Sequence, residues 1–304
     1  MEENIKVIAA ETAGEIGVKT FYGKNDGSLP MTGELNPDAV VDAVKKILAI
    51  DYRAVSPSYS ERATRLAAEM APHRDLTFCP GCPHRASFWS LHNALALDGR
   101  RGFVCGDIGC YTLGFLPCGF ETMKTSHSMG SGIGIASGFG KLGQFGFDQP
   151  VLAVCGDSTF FHAAIPALVN AVHAGSDVIF ALLDNYGTAM TGFQPHPGTP
   201  LDATGSPVNQ IDPAEVCRSL GATVTIADPF DLEDTGEKLL SLLEGKGVRV
   251  IILRQICALS PEKKGRKAYE VTVDEDACLG AACGCGRFCT RIFRCPGLVW
   301  NEER

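Results

Sequence analysis

Two apolar runs that end in oxygen-bearing side chains constrain this chain most. The run VLAVCGD ends at Asp157, and the next one, SDVIFALLDN, ends at Asp184 and Asn185. A helical pattern that starts near Ser158 separates them. Continuously apolar strands that alternate with helices indicate a parallel sheet covered on both faces. Because parallel strands joined by a helix end at one edge of the sheet, Asp157 and Asn185 are expected to meet where open α/β sheets bind ligands.

The same alternation extends from about residue 77 to about residue 254 and predicts a doubly wound, mostly parallel α/β fold. The predicted strands are RGFVCGD, PVLAVCGD, SDVIFALLDN, ATVTIAD and VRVIILRQ. The predicted helices are SFWSLHNALAL, SHSMGSGIGIASGFGKL, STFFHAAIPALVNAVHAG, DPAEVCRSLG and FDLEDTGEKLLSLLEG. The glycines of the second helix follow no convincing strand, so close helix packing explains them better than a dinucleotide fingerprint does.

Residues 1–70 are predicted to form an N-terminal linker with one or two helices. A polar, glycine-rich lead precedes the stretch NPDAVVDAVKKILAI, where Asn36 can cap a helix and Pro37 fits its first position. The α/β domain is then expected to span residues 71–259, and residues 260–304 form a third segment.

Composition narrows the possible partners. The chain has 304 residues, 45% of them hydrophobic, and a formal net charge of −8, which argues against nucleic acid or an anionic membrane. Its first residues are acidic where a signal peptide would be basic, and no apolar run reaches the length of about 18 residues that a membrane span needs. We therefore expect a cytoplasmic protein without a membrane span.

The cysteines are unevenly placed. Five of the thirteen crowd the glycine-rich C-terminal segment, and the last is followed by Pro296: Cys278, Cys283, Cys285, Cys289 and Cys295. Thiolates in such a segment favour an iron–sulfur cluster, and one [4Fe–4S] cluster needs four of them. The spacing C-x4-C-x-C-x3-C-x5-C-P departs from the usual ferredoxin pattern. Five cysteines do not suffice for two clusters, and the spare one is to be sought within the pair Cys283 and Cys285.

The paired strand ends predict a metal that holds a diphosphate. A carboxylate and an amide oxygen are hard donors, and Mg²⁺ takes few protein ligands and fills its remaining positions with water and phosphate oxygens. A lone Gly-Asp is most often only a turn. The second half of the pattern, Asp184-Asn185 with Gly187 two positions on, favours the metal site.

Several motifs together resemble one family. The stretch GDS and the stretch DNYGTAMTG, with Asn185 placed 28 positions after Asp157, resemble the thiamine-diphosphate motif, which usually begins Gly-Asp-Gly and ends Asn-Asn. Ser158 and Asp184 are the departures. With CPGCPHR (79–85), GDIGCYTLG (106–114), SHSMGSGIG (126–134) and TAMTGFQPHPGT (188–199), the chain resembles the thiamine-diphosphate half of the indolepyruvate:ferredoxin oxidoreductase family over about residues 30–260.

The resemblance implies a set of site residues. Asp157, Asn185 and the carbonyl of Gly187 would bind Mg²⁺, and Cys110 and His127 are candidate catalytic residues, although a structural role suits His127 equally well. The residues expected around thiamine diphosphate are Cys82, His84, Asp107, Gly109, Cys110, Met129, Gly130, Gly156, Asp157, Ser158, Asn185, Gly187, Thr188 and Ala189.

The pair Cys79 and Cys82 has three possible explanations. A C-x-x-C pair alone suggests zinc or a redox pair, yet no second pair of zinc ligands follows nearby. The prolines and Gly81 instead predict a tight turn into a helix, either purely structural or presenting backbone N–H groups and His84 to a phosphate.

The resemblance also implies an activity, and it implies that part of the active site is missing from this sequence. The expected reaction is oxidative decarboxylation of an aryl 2-oxo acid with coenzyme A, giving an acyl-CoA and electrons for ferredoxin or another low-potential acceptor. In that family a glutamate from a second domain assists loss of the thiazolium C2 proton. This sequence shows one α/β block, so we expect a separate subunit that carries the pyrimidine-binding domain and the catalytic glutamate. The alternatives are a non-oxidative 2-oxo acid decarboxylase subunit and an electron-transfer or scaffold subunit.

Overall fold

The chain divides into two units, Met1–His73 and Arg74–Arg304. The computed structural model describes residues 2–71, 75–263, 272–274, 276–282 and 285–298. The division does not separate the segment after residue 259 from the second unit.

The first unit is helical. Its helices are α1 (Glu2–Glu11), α2 (Ala13–Ile16), α3 (Pro37–Leu48) and α4 (Pro57–Met70). At the start of α3 the Asn36 side chain accepts a hydrogen bond of 2.9 Å from the N–H of Ala39, as its position before Pro37 predicts. The described residues of this region form four helices, where one or two were predicted.

The second unit is built on a six-stranded sheet. Its strands are β1 (Phe103–Gly106), β2 (Met123–Ser126), β3 (Val151–Gly156), β4 (Val178–Asp184), β5 (Thr223–Ala227) and β6 (Val248–Arg254). They are all parallel and lie in the order β2-β1-β3-β4-β6-β5. Every residue of β3 and β4 is buried, and because alternate side chains point to opposite faces, both faces of the sheet are covered. The predicted doubly wound α/β fold is confirmed.

Where the structure describes this unit, its α-helices are α5 (Pro83–Asp98), α6 (Ser131–Phe139), α7 (Asp157–Thr159), α8 (Ile165–His173), α9 (Pro213–Ser219) and α10 (Leu232–Glu244). One π-helical turn, Phe160–Ala164, joins α7 to α8, so both derive from the single helix predicted after Asp157. Helix α5 packs on α10, and α6 packs on α8 and on β1 and β3. Among the described residues, no helix combines the length and apolar character that crossing a membrane requires.

The strand β2 corrects the sequence prediction. Its four residues, MKTS, lie at one edge of the sheet and pair only with β1. Edge strands tolerate polar and charged side chains, and a strand without an apolar run leaves no signal in the sequence. The glycine-rich helix α6 therefore does follow a strand.

The strand order reverses direction between β1 and β3. From β1 the chain passes to β2 on one side and later to β3 on the other, which opens a crevice at the carboxyl ends of these strands. Asp107 follows β1, Asp157 follows β3 and Asn185 follows β4. The fold thus brings the paired strand ends to the position where this class of sheet binds ligands.

Candidate active site

Three oxygen atoms converge at the carboxyl ends of β3 and β4. The amide oxygen of Asn185 lies 2.8 Å from the carbonyl oxygen of Gly187 and 3.3 Å from Oδ2 of Asp157. Oxygens this close repel one another unless the amide turns its NH₂ group towards them or a cation lies between them. Adjacent oxygens around an octahedral Mg²⁺ with bonds of about 2.1 Å are about 3 Å apart, so the donor set fits this ion.

The chain itself fixes the Asp157 carboxylate. Oδ2 accepts hydrogen bonds of 3.1 Å from the N–H groups of Asn185 and Gly187, and Oδ1 accepts one of 2.8 Å from Ser158. The side chain is almost fully buried, so these donors replace the water that a free carboxylate would bind. The loop after β4 is thereby tied to the end of β3, and Oδ1 keeps a free lone pair.

A left-handed residue shapes the same loop. Tyr186, between Asn185 and Gly187, has φ of 61°, a region that non-glycine residues seldom occupy. This conformation costs about 1 kcal/mol or more and persists where the surroundings impose it. Its effect is to turn the Asn185 side chain and the Gly187 carbonyl towards the same point.

His84 completes one wall from the first turn of α5. Its Nε2 lies 3.3 Å from the side-chain amide of Asn185, and in the tautomer with Nε2 unprotonated it would accept from Nδ2 and keep the amide oxygen on the side of Asp157. Burial lowers the pKa of His84 to about 4, with nearby Asp157 opposing the shift. The ring is therefore neutral at neutral pH.

His196 is a second buried histidine beside Asp157. Its Nε2 lies 3.2 Å from Oδ2 of Asp157 but does not meet hydrogen-bond geometry, so it is a buried polar atom without a partner among the described residues. Its Nδ1 accepts from the N–H of Gly198 at 3.1 Å, and the ring stacks on Phe161 with 5.6 Å between centroids. Because Nδ1 is an acceptor, the neutral ring carries its proton on Nε2, facing the carboxylate.

Asp107 lies behind the wall of the crevice and binds the start of α6. It is fully buried, and its Oδ2 accepts from the N–H groups of Gly130 at 3.0 Å and Gly132 at 3.2 Å, at the start of α6. Its Oδ1 accepts from the hydroxyl of Tyr111. Burial raises the pKa of Asp107, while these donors oppose the shift. Gly130 is required here, because its φ is 83° and a Cβ would come within 2.6 Å of Ala163.

A cleft of about 540 Å³ opens above these groups. Most of the residues predicted from the sequence line it: His84, Gly109, Cys110, Met129, Gly156, Asp157, Ser158, Asn185, Gly187, Thr188 and Ala189. Four other predicted residues do not line it. Asp107 and Gly130 lie behind its wall, Cys82 caps α5, and His127 follows β2 as an exposed side chain.

Further lining residues escaped the sequence prediction: Ile108, Tyr111, Thr159, Met190 and Thr191. Tyr111 follows Cys110 inside a quoted motif, and its hydroxyl lies 3.0 Å from Oγ1 of Thr159. No lysine or arginine is found among the described residues that line the cleft.

Four thiols lie near one another beside the cleft. Burial raises the pKa of Cys82 to about 12 and also raises those of Cys110 and Cys257. The negative charge of a Cys79 thiolate would raise each of these pKa values further, and a Cβ placed on Gly81 would lie 3.8 Å from Cβ of Ala258, so the residue after Cys257 contacts the C-x-x-C turn. Cys257 was missed because it stands alone after β6, and only the fold brings it to the C-x-x-C turn.

The C-terminal cysteines are mostly exposed. Cys278, Cys285 and Cys289 are exposed and Cys295 is half-buried, while Cys283 lies outside the described residues. The N–H of Cys295 donates to the carbonyl of Cys289 at 2.9 Å, and the N–H of Arg287 donates to Sγ of Cys285 at 3.4 Å. In the described part of the chain, no three His, Cys, Asp or Glu side chains converge on one point as the ligands of a single metal ion would.

The fold and the site define a class. Residues 107–253 match the family described as "Thiamine pyrophosphate enzyme, C-terminal TPP binding domain". A solved structure with a similar fold is 2-oxoglutarate:ferredoxin oxidoreductase from Magnetococcus marinus, with a TM-score of 0.50 and 21% identity over 61% of this chain and 66% of that one. The chain therefore has the thiamine-diphosphate-binding fold.

Proteins whose sequences are more similar to this chain indicate a particular family within this fold. The whole chain is 35% identical to indolepyruvate oxidoreductase subunit IorA of Pyrococcus horikoshii, of which it covers 47%. It is 35% identical over its whole length to the subunit of the same name from Methanothermobacter marburgensis, of which it covers 46%, and 33% identical over 95% of its length to that of Archaeoglobus fulgidus. The predicted resemblance to the indolepyruvate oxidoreductase family is confirmed, and the chain spans somewhat less than half the length of these relatives.

Proposed function

We propose that this chain is the thiamine-diphosphate-binding part of a 2-oxoacid:ferredoxin oxidoreductase that acts on an aryl 2-oxo acid and forms an acyl-CoA. The aryl preference rests on the name of the relatives, indolepyruvate oxidoreductase. Coenzyme A and ferredoxin, or another low-potential acceptor, are the partners expected for such a reaction. When bound, thiamine diphosphate supplies the nucleophile and the electron sink for decarboxylation.

One observation supports the cofactor most directly. Oxygens of Asp157, Asn185 and Gly187 converge at distances that suit adjacent Mg²⁺ ligands. They lie at the carboxyl ends of β3 and β4, next to the point where the strand order reverses. The cleft contributes no basic side chain from its described lining, so the metal would balance the charge of the diphosphate. These residues would hold the metal, and Ser158, Thr188 and Ala189 would border the diphosphate.

The proposal predicts that Asp157→Ala abolishes Mg²⁺-dependent binding of thiamine diphosphate, because the diphosphate loses its bridging cation. Isothermal titration with thiamine diphosphate, in the presence and absence of Mg²⁺, measures this. Asp148→Ala is the matched control, since Asp148 is exposed and precedes β3 at the opposite edge of the sheet. Equal cofactor binding by the two variants, both folded by circular dichroism, would refute the metal assignment.

We further propose that the chain carries a [4Fe–4S] cluster on four of the C-terminal cysteines. The N–H···S bond to Cys285 is the kind that stabilises cluster thiolates, and the backbone bond between Cys289 and Cys295 brings these two together. A cubane binds each thiolate to a different iron, so its ligands need not converge on one point. The group of Cys79, Cys82, Cys110 and Cys257 is a second candidate, because Cys110 lines the cleft and Ala258, next to Cys257, lies at the C-x-x-C turn.

Iron content distinguishes the two ligand sets. With a C-terminal cluster, the chain purified without oxygen holds about four irons, Cys289→Ser loses them, and Cys110→Ala keeps them while losing turnover in the assembled enzyme. Iron loss on Cys110→Ala but not on Cys289→Ser would assign the cluster to the four thiols beside the cleft. A chain that contains no iron at all would favour the non-oxidative decarboxylase.

A further inference from the structure

Arg85 joins the C-terminal cysteines to the wall of the cleft. We call residues 285–298 the cysteine segment. The guanidinium of Arg85 donates to the carbonyl of Phe293 in this segment, and also to the carbonyl of Phe78 and, at 3.2 Å, to Oγ1 of Thr77. Phe293 is 208 positions away in the sequence, so only tertiary structure makes this contact.

The contact does not stand alone. Oγ1 of Thr77 donates to the carbonyl of Arg294 at 2.9 Å, and the Arg294 guanidinium pairs with Asp75 at 2.7 Å. The planar guanidinium of Arg85 also lies over the ring of Phe78, 5.6 Å from its centroid. Arginine suits this role because its fixed fork of donors reaches several acceptors at once.

Aromatic packing supports the same junction. The ring of Phe293 lies 5.1 Å from that of Trp89 and 5.9 Å from that of Phe120, and Phe288 lies 5.9 Å from Trp89. Trp89 is one helical turn after Arg85 on α5, so both side chains lie on one face of that helix. The cysteine segment therefore packs against the first turns of α5.

The first turn of α5 also reaches the cleft. His84, next to Arg85, lines the cleft, and its Nε2 lies 3.3 Å from the side-chain amide of Asn185. At the other end of the junction, a Cβ placed on Gly297 would lie 3.6 Å from Sγ of Cys295 and 3.9 Å from Pro80 in the C-x-x-C turn. Consecutive residues thus contact the candidate metal site and the cysteine segment.

We infer that Arg85 is a positioning residue: it fixes the cysteine segment against α5 and so holds the cluster at a set position beside the cofactor cleft. The part that concerns the cluster rests on the proposed function, whereas the docking of the segment does not. Without Arg85, two carbonyls and a hydroxyl lose a charged donor, and the segment keeps only the aromatic contacts and the links of Arg294 to Thr77 and Asp75.

The test uses the full chain, purified without oxygen, with Arg85→Met and Arg85→Lys. The matched control is Arg101→Met, since Arg101 is an exposed arginine just after α5. Trypsin cleaves after Arg287, Arg291 and Arg294 inside the segment, and its initial rate there should rise at least tenfold in both Arg85 variants and stay unchanged in the control. In a Trp300→Phe background, Trp89 emission should shift to the red as the phenylalanines move away.

The reduction potential of the cluster separates the charge of Arg85 from its hydrogen bonds, because the two variants lose the same fork of donors and differ in charge. Loss of a nearby positive charge disfavours the reduced cluster, so Arg85→Met should lower the potential further than Arg85→Lys does. If Arg85→Met does not fold, Thr77→Val removes the links of Oγ1 to Arg294 and Arg85 but leaves the Arg85 bond to Phe293, so it should raise tryptic cleavage to a smaller extent. Cleavage and emission equal to the parent chain in both Arg85 variants would overturn the docking. Increased cleavage in a chain without iron would retain the docking and refute the cluster.

Discussion

His196 lies inside the motif TAMTGFQPHPGT but was not predicted as a site residue, and it shows how such a side chain can act on the candidate metal site. It comes from the loop after Gly187 and lies 3.2 Å from Asp157 with its proton on the nitrogen that faces the carboxylate. Residues that hold a metal ligand in place are commonly as important for metal affinity as the ligand itself. A small rotation of the carboxylate upon metal binding would give Nε2 the hydrogen bond that it lacks.

Replacement of His196 tests this role. His196→Phe keeps an aromatic ring to stack on Phe161 but removes the donor, and we expect Mg²⁺ affinity to fall about 10- to 100-fold. His196→Gln keeps a donor and should lose less. Titration of Mn²⁺, followed by the EPR signal of the free ion in the presence of thiamine diphosphate, measures the affinity. The role is disproved if the phenylalanine variant binds Mn²⁺ as tightly as the parent chain.

The predictable residues of the site are those next to strand ends. Asp157, Asn185 and Gly187 could be found because each follows a clear apolar run, and the sheet topology then brings them together. His196, Cys257 and Tyr111 belong to the same site, but their positions depend on the path of loops and turns. Hydrophobic periodicity carries no information on where a loop returns, so only the structure identifies them.

At the scale of elements, Asp107 connects a strand to a helix. It follows β1, and its Oδ2 accepts hydrogen bonds from the N–H groups of Gly130 and Gly132 at the start of α6. Its Oδ1 accepts a hydrogen bond from the hydroxyl of Tyr111. These N–H groups have no acceptor within the helix, and a buried one that loses its partner costs about 1–3 kcal/mol. The carboxylate therefore fixes the glycine-rich helix at the floor of the cleft.

Asp107→Leu should lower the free energy of unfolding by more than about 2 kcal/mol, because two buried N–H groups lose their acceptor. Asp107→Asn should cost less, because its amide oxygen can still face the glycines while Tyr111 accepts from the NH₂ group. Urea denaturation of both variants measures the difference. Equal stability of Asp107→Leu and the parent chain would contradict the assignment.

The same residue predicts a pH dependence. Since burial raises the pKa of Asp107, the folded chain retains this proton over a pH interval in which the unfolded chain has lost it. The contribution of Asp107 to stability should therefore fall as pH rises through that interval and stay constant above it. Asp107→Asn lacks this group, so its unfolding free energy should fall less with rising pH than that of the parent chain.

Elements with strong patterns were predictable and elements without them were not. The strands β3 and β4 are buried along their whole length, so their sequences are continuous apolar runs. The start of α3 is marked in the sequence by the capping residue Asn36 and by Pro37 after it. In contrast, β2 lies at the sheet edge with Lys124 in its short sequence, and α1 begins with two glutamates and buries no residue. Both lack the apolar face on which sequence prediction depends.

At the scale of the whole molecule, the mouth of the cleft leaves apolar side chains uncovered. Ile108, Met129 and Met190 line the cleft and are 44%, 50% and 58% exposed. Apolar groups that cluster at the rim of a site commonly mark a surface that another domain covers. In the family that the chain resembles, thiamine diphosphate lies between two domains, one holding the diphosphate and the other the aminopyrimidine.

The last prediction follows from these exposed groups: the chain by itself should not catalyse the reaction. Among the described residues there is one strand–helix block, which we propose as the diphosphate side, and no second block that could place a glutamate on the pyrimidine. The chain alone should bind thiamine diphosphate weakly and fail to reduce viologen dye with aryl 2-oxo acids and coenzyme A.

Addition of the pyrimidine-binding domain, as a subunit or within a longer polypeptide, should restore dye reduction. Met190→Lys should weaken this rescue at least tenfold by placing a charge in the contact. Ser219→Lys, at the end of α9, is the control and should not. Rapid dye reduction by the chain alone would instead require a catalytic carboxylate within these 304 residues and would reject the two-domain site.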